Sequence, residues 1–224
     1  MSIVKTSIGK KLVMSISGMF LIFFLSFHLS MNIVVLFSPS TYNRVCEFLG
    51  SNWYAVLGSS LLALGFLVHI GYAFLLSFQN ARARGGISYK VPAKPKGLLS
   101  FASRNMLVLG AIIAFGLITH LYQFWYKMQF AEFVAARHEF APTDGASFVK
   151  LYFSNIYLVI LYLAWFVTIW LHLTHGFWSM FQTMGLSNTK LTNRLKTTSI
   201  IYSTLICGGF AAIVIITYVK SLLE

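Results

Sequence analysis

Charged residues are scarce in this 224-residue chain, and acidic residues are the scarcest. Aspartate and glutamate number 5, lysine and arginine 17, and charged residues make up 10% of the chain, whereas soluble globular domains carry about 25%. Hydrophobic residues make up 58%, and the mean hydropathy is +0.75. This composition excludes an ordinary water-soluble domain and predicts a membrane protein.

Cysteine is nearly absent as well. Cys46 and Cys207 are the two cysteines of the chain. They are too few for a disulfide framework, and neither belongs to a Cys-x-x-Cys-His motif. The sequence therefore offers no covalent attachment site of that kind.

Five uncharged runs are long enough to cross a bilayer, which requires about 20 apolar residues. They predict an all-α membrane protein with five transmembrane helices in a single integral membrane domain, residues 1–224. We expect the helices near 12–37, 53–81, 104–127, 151–184 and 197–220. The fourth is interpreted as one long helix ending near Gly185, with Ser187 and Asn188 starting a turn.

The first run resembles a signal peptide, because Lys5, Lys10 and Lys11 precede it. It is longer than the apolar core of a signal peptide and lacks a small-x-small cleavage site. We therefore expect it to remain as a membrane anchor.

The distribution of basic residues predicts the orientation. With the N-terminus inside, twelve basic residues lie on the inner side: Lys5, Lys10, Lys11, Arg82, Arg84, Lys90, Lys94, Lys96, Arg104, Lys190, Arg194 and Lys196. Five lie outside (Arg44, Lys127, Arg137, Lys150 and Lys220), together with all the acids, Glu47, Glu132, Glu139, Asp144 and Glu224. This asymmetry follows the positive-inside rule, and a docking surface for an acidic or phosphate-bearing partner is the alternative interpretation. Nucleic-acid binding is disfavoured, since these groups flank membrane spans.

Two loops have distinct compositions. The inner connector 82–104 contains Gly85, Gly86, Pro92, Pro95 and Gly97, which makes it too broken for a helix and too short for a domain. The outer segment 130–140, FAEFVAARHEF, has apolar residues at helical spacing and is predicted to lie flat on the membrane.

Histidines carry the functional signal. His28, His69, His120 and the pair His172 and His175 lie in the first, second, third and fourth runs. A single intramembrane histidine is more often a hydrogen bond between helices than a ligand. Four helices with one or more histidines each favour a functional site, because ionisable groups at membrane depth are costly.

Depth along the helices predicts how these histidines pair. At about 1.5 Å per residue, His28 and His120 lie roughly 10–17 Å from the outer helix ends. His69 and His172 lie roughly 24–33 Å from those ends, so the two levels are about 15 Å apart. Each level joins nonadjacent helices of a four-helix bundle formed by helices one to four.

Two imidazoles at one level are the axial ligand set of a six-coordinate haem b, which carries electrons and has no open position. The sequence thus predicts two haem b groups, ligated by His28 with His120 and by His69 with His172. Zinc is disfavoured, since no cysteine or carboxylate completes either set. Glycines at membrane depth would let a flat macrocycle approach, which is weak support: Gly18, Gly65, Gly71, Gly110, Gly116 and Gly176.

Three further residues are candidates near the haems. His175 is either a hydrogen-bond partner for a propionate or a neighbouring helix, or the ligand in place of His172; His172 is favoured. Arg104 is a candidate on the propionate side. His138, in the outer loop, is interpreted as a solvated surface histidine.

With these features the chain resembles the two-haem cytochrome b membrane-anchor subunit of succinate:quinone oxidoreductases and fumarate reductases. The stretch from His172 to Gly185, HLTHGFWSMFQTMG, is similar to the family's ligand histidine followed by a glycine four residues on and an aromatic residue two further. By this match His172 is the ligand. Trp170 stands where one member of the family has a glutamate, which weakens any proton route that depends on that residue.

The resemblance implies a function and a set of partners. A flavoprotein subunit and an iron–sulfur subunit would dock on the cytoplasmic face and carry the dicarboxylate chemistry. This chain would be the quinone-reactive electron-transfer subunit of an oxidoreductase complex in the bacterial cytoplasmic membrane, in contact with lipid and quinone, usually menaquinone. Glu47, just before helix two, corresponds to a carboxylate that can accept quinol protons; a solvated loop acid is the equal alternative. A dimer of the complex is allowed.

Two other functions are compatible with the sequence. One is a cytochrome b subunit of another quinone-linked complex, such as a hydrogenase, formate dehydrogenase or nitrate reductase. The other is a small transporter that uses membrane histidines as a proton relay. The copurifying subunits distinguish the first, and a colourless protein would favour the second.

Overall fold

The computed structural model describes residues 6–50, 52–83, 85, 98–134 and 139–224. These residues form helices joined by short turns, with no strand among them. Five of the helices are long and apolar enough to cross a membrane: Ser7–Leu36, Trp53–Ala83, Met106–Phe133, Ile156–Thr183 and Thr189–Leu223. We call these spans 1 to 5. The predicted all-α membrane fold with five spans is confirmed.

Two spans change their helical geometry along their length. Span 1 is α-helical from Ser7 to Asn32 and ends in a 3₁₀ turn, Ile33–Leu36. Span 3 is α-helical over Met106–His120, π-helical over Leu121–Phe130, and closes with the short helix Ala131–Phe133. The π-helical segment begins directly after His120, and π-helical geometry is rare and frequent at functional sites.

Three shorter helices lie between the spans. They are Pro39–Gly50, Leu98–Arg104 and Gly145–Phe153. The helix Leu98–Arg104 corrects the expectation that the connector before span 3 is too broken for a helix. The breaking residues end at Gly97, and the seven residues after it contain neither glycine nor proline. The connector residues 84 and 86–97 lie outside the described part.

The fourth apolar run is divided, which differs from the single helix expected from 151 to 184. Gly145–Phe153 ends at Ser154, and Asn155 caps span 4 by accepting a hydrogen bond from the Tyr157 backbone amide. A side-chain cap of this kind marks the first turn of a new helix. The run therefore forms two helices, Gly145–Phe153 and span 4. At the other end, Gly185 adopts a φ of 76°, and Asn188 caps span 5, so the expected turn is present.

The segment 130–140 does not begin as a separate surface helix. Phe130 ends the π-helical part of span 3, and Ala131–Phe133 continue the same span. Residues 135–138, including His138, lie outside the described residues. The surface-helix interpretation is therefore wrong for the start of this segment.

Spans 1 to 4 form a ring in chain order, and span 5 packs outside the ring against spans 4 and 1. Spans 1 and 3 are thus diagonal, as are spans 2 and 4. Spans 4 and 5 approach closely through small polar residues, since the Ser199 hydroxyl donates to the Thr174 carbonyl oxygen and both residues are fully buried. Such small residues are common at helix contacts in membranes.

Large apolar side chains cover the outside of the bundle. Phe23, Leu67, Phe115, Ile118 and Leu205 are each about two-thirds exposed. Exposed apolar surface on this scale is unfavourable in water and matches a lipid environment. We call the side where spans 1, 3 and 5 end the C-terminal face and the opposite side the N-terminal face.

Candidate functional site: two histidine pairs in the bundle

His28 of span 1 and His120 of span 3 meet across one diagonal of the bundle. Their ring centroids are 5.8 Å apart and their planes are 88° apart. Aromatic rings enclose the pair: Phe24 stacks on His28 at 5.2 Å, and Trp165 lies 5.9 Å from His120. The interior of the bundle therefore holds two imidazoles facing each other in an apolar setting.

His69 of span 2 and His172 of span 4 meet across the other diagonal. Their ring centroids are 6.4 Å apart and their planes are 69° apart. Gly18 of span 1 lies against this pair, since a Cβ there would be 3.2 Å from His69 Cε1. Gly110 of span 3 lies near the other ring, where a Cβ would be 3.7 Å from His172 Cε1. The structure thus brings together the two pairs that helix depth suggested.

Both separations match two imidazoles on one metal ion. With a metal–nitrogen distance of about 2.0–2.1 Å and collinear bonds, two such rings have centroids about 6.3 Å apart. Rings in edge-to-face contact also lie about 4.5–7 Å apart, so the distance is a necessary condition for shared ligation. Among the described residues no group of three or more His, Cys, Asp or Glu is placed to hold a metal ion. Each pair is accordingly a two-nitrogen set, which suits haem iron because the porphyrin supplies the other four ligands.

The Nδ1 atoms of His69 and His120 each have a hydroxyl neighbour. Ser17 Oγ lies 3.2 Å from His69 Nδ1 and donates to the Met14 carbonyl oxygen at 3.0 Å. Tyr162 Oη lies 3.4 Å from His120 Nδ1 and donates to Gln123 Oε1 at 2.6 Å. Tyr162 and Gln123 are both buried. These contacts hold two of the four rings through Nδ1 and leave Nε2 for a ligand.

The other two histidines have different surroundings. His28 Nδ1 lies 3.4 Å from Asn32 Nδ2, and the same Nδ2 donates to the His28 carbonyl oxygen at 2.7 Å. His172 Nδ1 is buried and has no hydrogen-bond partner. An unpartnered buried nitrogen is unusual in a finished core.

His175 belongs to neither facing pair. Its ring centroid is 5.3 Å from that of Trp178 on the same span. His175 Nδ1 and Trp178 Nε1 are both buried without a hydrogen-bond partner. The Lys196 ammonium of span 5 lies 4.9 Å from the centre of a Trp178 ring. This cluster could hold a carboxylate such as a propionate, because it combines a cation with unpartnered nitrogens.

The glycines divide into three groups. Gly18 and Gly110 lie beside the His69–His172 pair. A Cβ at Gly65 would overlap the Phe20 ring, and one at Gly116 would overlap the Trp165 indole. Gly71 and Gly176 have nothing within 4 Å of such a Cβ. Two of the six therefore lie against the histidine rings, two accommodate aromatic side chains, and two lie in open space.

Glu47 and Arg104 lie at the surface. Glu47 is exposed on the helix Pro39–Gly50, and Arg104 is exposed at the end of Leu98–Arg104. The side chain that connects Pro39–Gly50 to the His28–His120 pair is Tyr42, whose hydroxyl donates to Asn32 Oδ1 at 2.8 Å. Burial raises the pKa of the Tyr42 phenol well above its ordinary value, so this donor stays protonated.

Sequence reasoning missed Ser17, Asn32, Tyr42, Gln123 and Tyr162. Each is a common polar residue in an apolar run, and nothing local distinguishes it from a lone helix hydroxyl or amide. A helical projection of span 1 would place Asn32 one turn after His28. The link from Tyr162 to His120 joins residues 42 positions apart, so it depends on how spans 3 and 4 pack.

No protein-family model, curated protein sequence or solved structure matches this chain significantly. Any assignment of function therefore depends on the geometry of the histidine pairs.

Proposed function

We propose that this chain is the dihaem cytochrome b membrane-anchor subunit of a succinate dehydrogenase or fumarate reductase. It carries electrons between a membrane quinone, menaquinone in this form, and the iron–sulfur subunit of the complex. The observation that supports the proposal best is the placement of four histidines as two facing pairs, on the two diagonals of one four-helix bundle.

His28 with His120, and His69 with His172, would each hold one haem b. Each haem supplies a one-electron redox centre, and two centres at different depths divide a hydrocarbon core of roughly 30 Å. Two histidines at each site would supply both protein ligands of a six-coordinate haem, which would transfer electrons and bind no substrate. The aromatic rings around the His28–His120 pair exclude water from that site.

The soluble partners belong on the N-terminal face. In this proposal that face is cytoplasmic, the membrane is the bacterial inner membrane, and a flavoprotein subunit and an iron–sulfur subunit dock there. The excess of basic residues on this side supports both the orientation and the attraction of an acidic partner surface. The dicarboxylate reaction takes place on those subunits.

Quinol is oxidised near the His28–His120 pair, towards the C-terminal face. Asn32 contacts His28 Nδ1, and Asn32 Oδ1 accepts a hydrogen bond from Tyr42 on the surface helix Pro39–Gly50. Glu47 on the same helix is the proposed proton acceptor. Its exposure gives a released proton direct access to water.

The haem content of the purified chain tests the proposal. The wild type is expected to contain two protohaem groups with low-spin spectra, measured by the pyridine haemochrome assay and by optical absorption. His28→Ala removes one axial ligand and is expected to lower the content to one. Ser30→Ala, on the exposed side of the same span, is the matched control and keeps both haems.

Two outcomes would contradict the proposal. A colourless wild-type protein would favour a histidine-relay transporter, and a His28→Ala variant with two haems would remove the ligand assignment. Isolation of the intact complex then separates the remaining alternatives. Copurification with a hydrogenase, formate dehydrogenase or nitrate reductase subunit would assign the chain to a different quinone-linked complex.

A further inference from the structure

Each histidine pair contains one ring with a hydroxyl at Nδ1 and one ring without. The held rings are His69, beside Ser17, and His120, beside Tyr162. Their counterparts are His172, whose Nδ1 has no partner, and His28, whose Nδ1 faces an amide nitrogen. The same asymmetry thus occurs at both levels of the bundle.

Ser17, together with the Met14 carbonyl oxygen, which also lies within hydrogen-bond reach of the His69 ring, determines which nitrogen of His69 carries the proton. The Met14 carbonyl oxygen can only accept, so the 3.0 Å contact from Ser17 Oγ is a hydrogen bond only if Ser17 donates. The hydroxyl has a single proton, so at its second contact, with His69 Nδ1, the oxygen accepts. His69 Nδ1 is therefore the N–H, and Nε2 carries the lone pair that binds a metal ion.

Tyr162 determines the tautomer of His120 in the same way. Its oxygen lies 2.6 Å from Gln123 Oε1, a distance typical of O–H···O and shorter than about 2.7–3.2 Å for N–H···O. The phenol therefore donates to Gln123 and accepts from His120 Nδ1. The proton again lies on Nδ1, and Nε2 is left for the metal.

Neither counterpart histidine has such an acceptor. Asn32 Nδ2 is itself a donor, and its orientation is set by two contacts: Nδ2 donates to the His28 carbonyl oxygen, and Oδ1 accepts from Tyr42. His172 Nδ1 has no partner at all. One ligand of each pair therefore has a hydroxyl acceptor at Nδ1, and the other has none among the described residues.

We propose that Ser17 and Tyr162 are positioning residues that orient one axial ligand each, and that they set the two haem potentials independently. The inference rests on the proposed function. An acceptor at the N–H of a metal-bound imidazole fixes the ring and increases its basicity. A more basic ligand stabilises the oxidised metal, so removing the acceptor raises the midpoint potential of that centre.

Redox titration of the purified haem-containing protein tests this inference, with low-temperature EPR as a second readout. Ser17→Ala is expected to raise the potential of the His69–His172 centre and shift its EPR g values, while the other centre is unchanged. Tyr162→Phe is expected to do the same for the His28–His120 centre alone. The single-haem His28→Ala variant identifies which potential belongs to which centre.

Matched variants separate positioning from general damage. Ser17→Thr keeps the hydroxyl and is expected to restore the wild-type potential. Ser15→Ala, also buried on span 1, and Tyr202→Phe, whose hydroxyl bonds Ser26 and the Ile22 carbonyl oxygen, are expected to move neither potential. If Tyr162→Phe loses haem, Gln123→Leu is the second variant: it removes the acceptor of the phenol proton and leaves the phenol oxygen in place. The same potential is expected to rise by less, because a phenol that no longer donates is a weaker acceptor for His120 Nδ1.

Three results would overturn the inference: unchanged potentials in Ser17→Ala with both haems bound, an equal shift of both centres, or a Ser17→Thr protein that behaves like Ser17→Ala. For Tyr162, a wild-type potential in Tyr162→Phe with both haems bound would do so, as would one in Gln123→Leu where Tyr162→Phe loses haem. These results differ from a failure of the proposed function, in which the wild type itself contains no haem.

Discussion

The two histidines of span 4 are three residues apart and have different neighbours. The His172 ring faces His69 at 6.4 Å, whereas the His175 ring lies against Trp178 at 5.3 Å. Three residues along an α-helix correspond to a rotation of about 300°, so the two side chains leave the helix about 60° apart. This rotation is enough to place one ring at the diagonal of the bundle and the other beside span 5.

We therefore expect opposite results from the two alanine variants. His172→Ala removes a proposed haem ligand and should lose the haem proposed for the His69–His172 pair. His175→Ala leaves both pairs intact and should keep two haems, with a changed potential if it contacts a propionate. Haem content by the pyridine haemochrome assay is the measurement, and loss of haem in His175→Ala alone would reverse the ligand assignment.

Among the shorter elements, Gly145–Phe153 depends on its N-cap. The Asp144 side chain accepts from the Ser147 backbone amide and from Asn43 Nδ2, while Asn43 Oδ1 accepts from the Ala146 amide. The cap therefore also connects Gly145–Phe153 to Pro39–Gly50. Partial burial acts to raise the pKa of Asp144, but the hydrogen bonds from Ser147 and Asn43 outweigh it and hold the pKa below its ordinary 3.8.

Replacing this cap should weaken the C-terminal face. Asp144→Ala is expected to lower the free energy of unfolding by about 0.5–2 kcal/mol, and Asp144→Asn by less, because asparagine also caps helices. The ionised carboxylate stabilises the fold above its ordinary pKa, and this stabilisation is lost as the pH falls through the lower folded-state pKa. The difference between wild type and Asp144→Asn should thus shrink below about pH 4. Thermal unfolding in detergent at several pH values measures both effects, and an unchanged Asp144→Ala protein would contradict them.

The contact between spans 3 and 4 depends on Gly116. A Cβ at this position would overlap the Trp165 indole, whose Nε1 donates to the Ile113 carbonyl oxygen at 3.2 Å. Trp165 in turn lies against His120. The indole is rigid and held at both sides, so it has little room to move away.

Gly116→Ala should therefore destabilise the protein by about 1–3 kcal/mol, the usual cost of overpacking a core. It should also perturb the spectrum of the His28–His120 centre. Gly208→Ala is the control, because an added Cβ there meets nothing within 4 Å. Thermal unfolding of both variants measures the difference in stability. Equal stability of the two variants would contradict the prediction, because it would mean that the Trp165 indole moves away from the added Cβ without loss of stability.

For the whole molecule, the charge asymmetry predicts the orientation in the membrane. Five spans place the chain ends on opposite sides, and the basic excess on the N-terminal face predicts that this face is cytoplasmic. Green fluorescent protein fused after Glu224 should be dark, and alkaline phosphatase fused there should be active. A fluorescent protein fused before Met1 is the control and should fluoresce. The opposite pattern would invert the topology and move the proposed docking face.

The sequence alone predicted the five spans, because bilayer thickness requires long uncharged runs and nothing else in the chain has that length. It also indicated two levels of histidines, since the rise of an α-helix is constant. It did not predict the division of the fourth run. Ser154 and Asn155 are common polar residues, and nothing in the sequence indicates that Asn155 caps a helix. It did not predict the helix Leu98–Arg104, because the glycines and prolines that precede this helix indicate an irregular connector.

Tertiary structure alone decided which residues surround the histidine rings. The contacts of Ser17 with His69 and of Tyr162 with His120 join residues 52 and 42 positions apart, and no periodicity within one helix specifies such a contact. The π-helical segment Leu121–Phe130, which carries Gln123 towards Tyr162, is likewise without a local signal. Depth in the bilayer is a property of one helix and can be read along the chain. The rotation of each helix about its axis is set by packing against its neighbours, and that rotation determines the hydrogen bonds made by each ring.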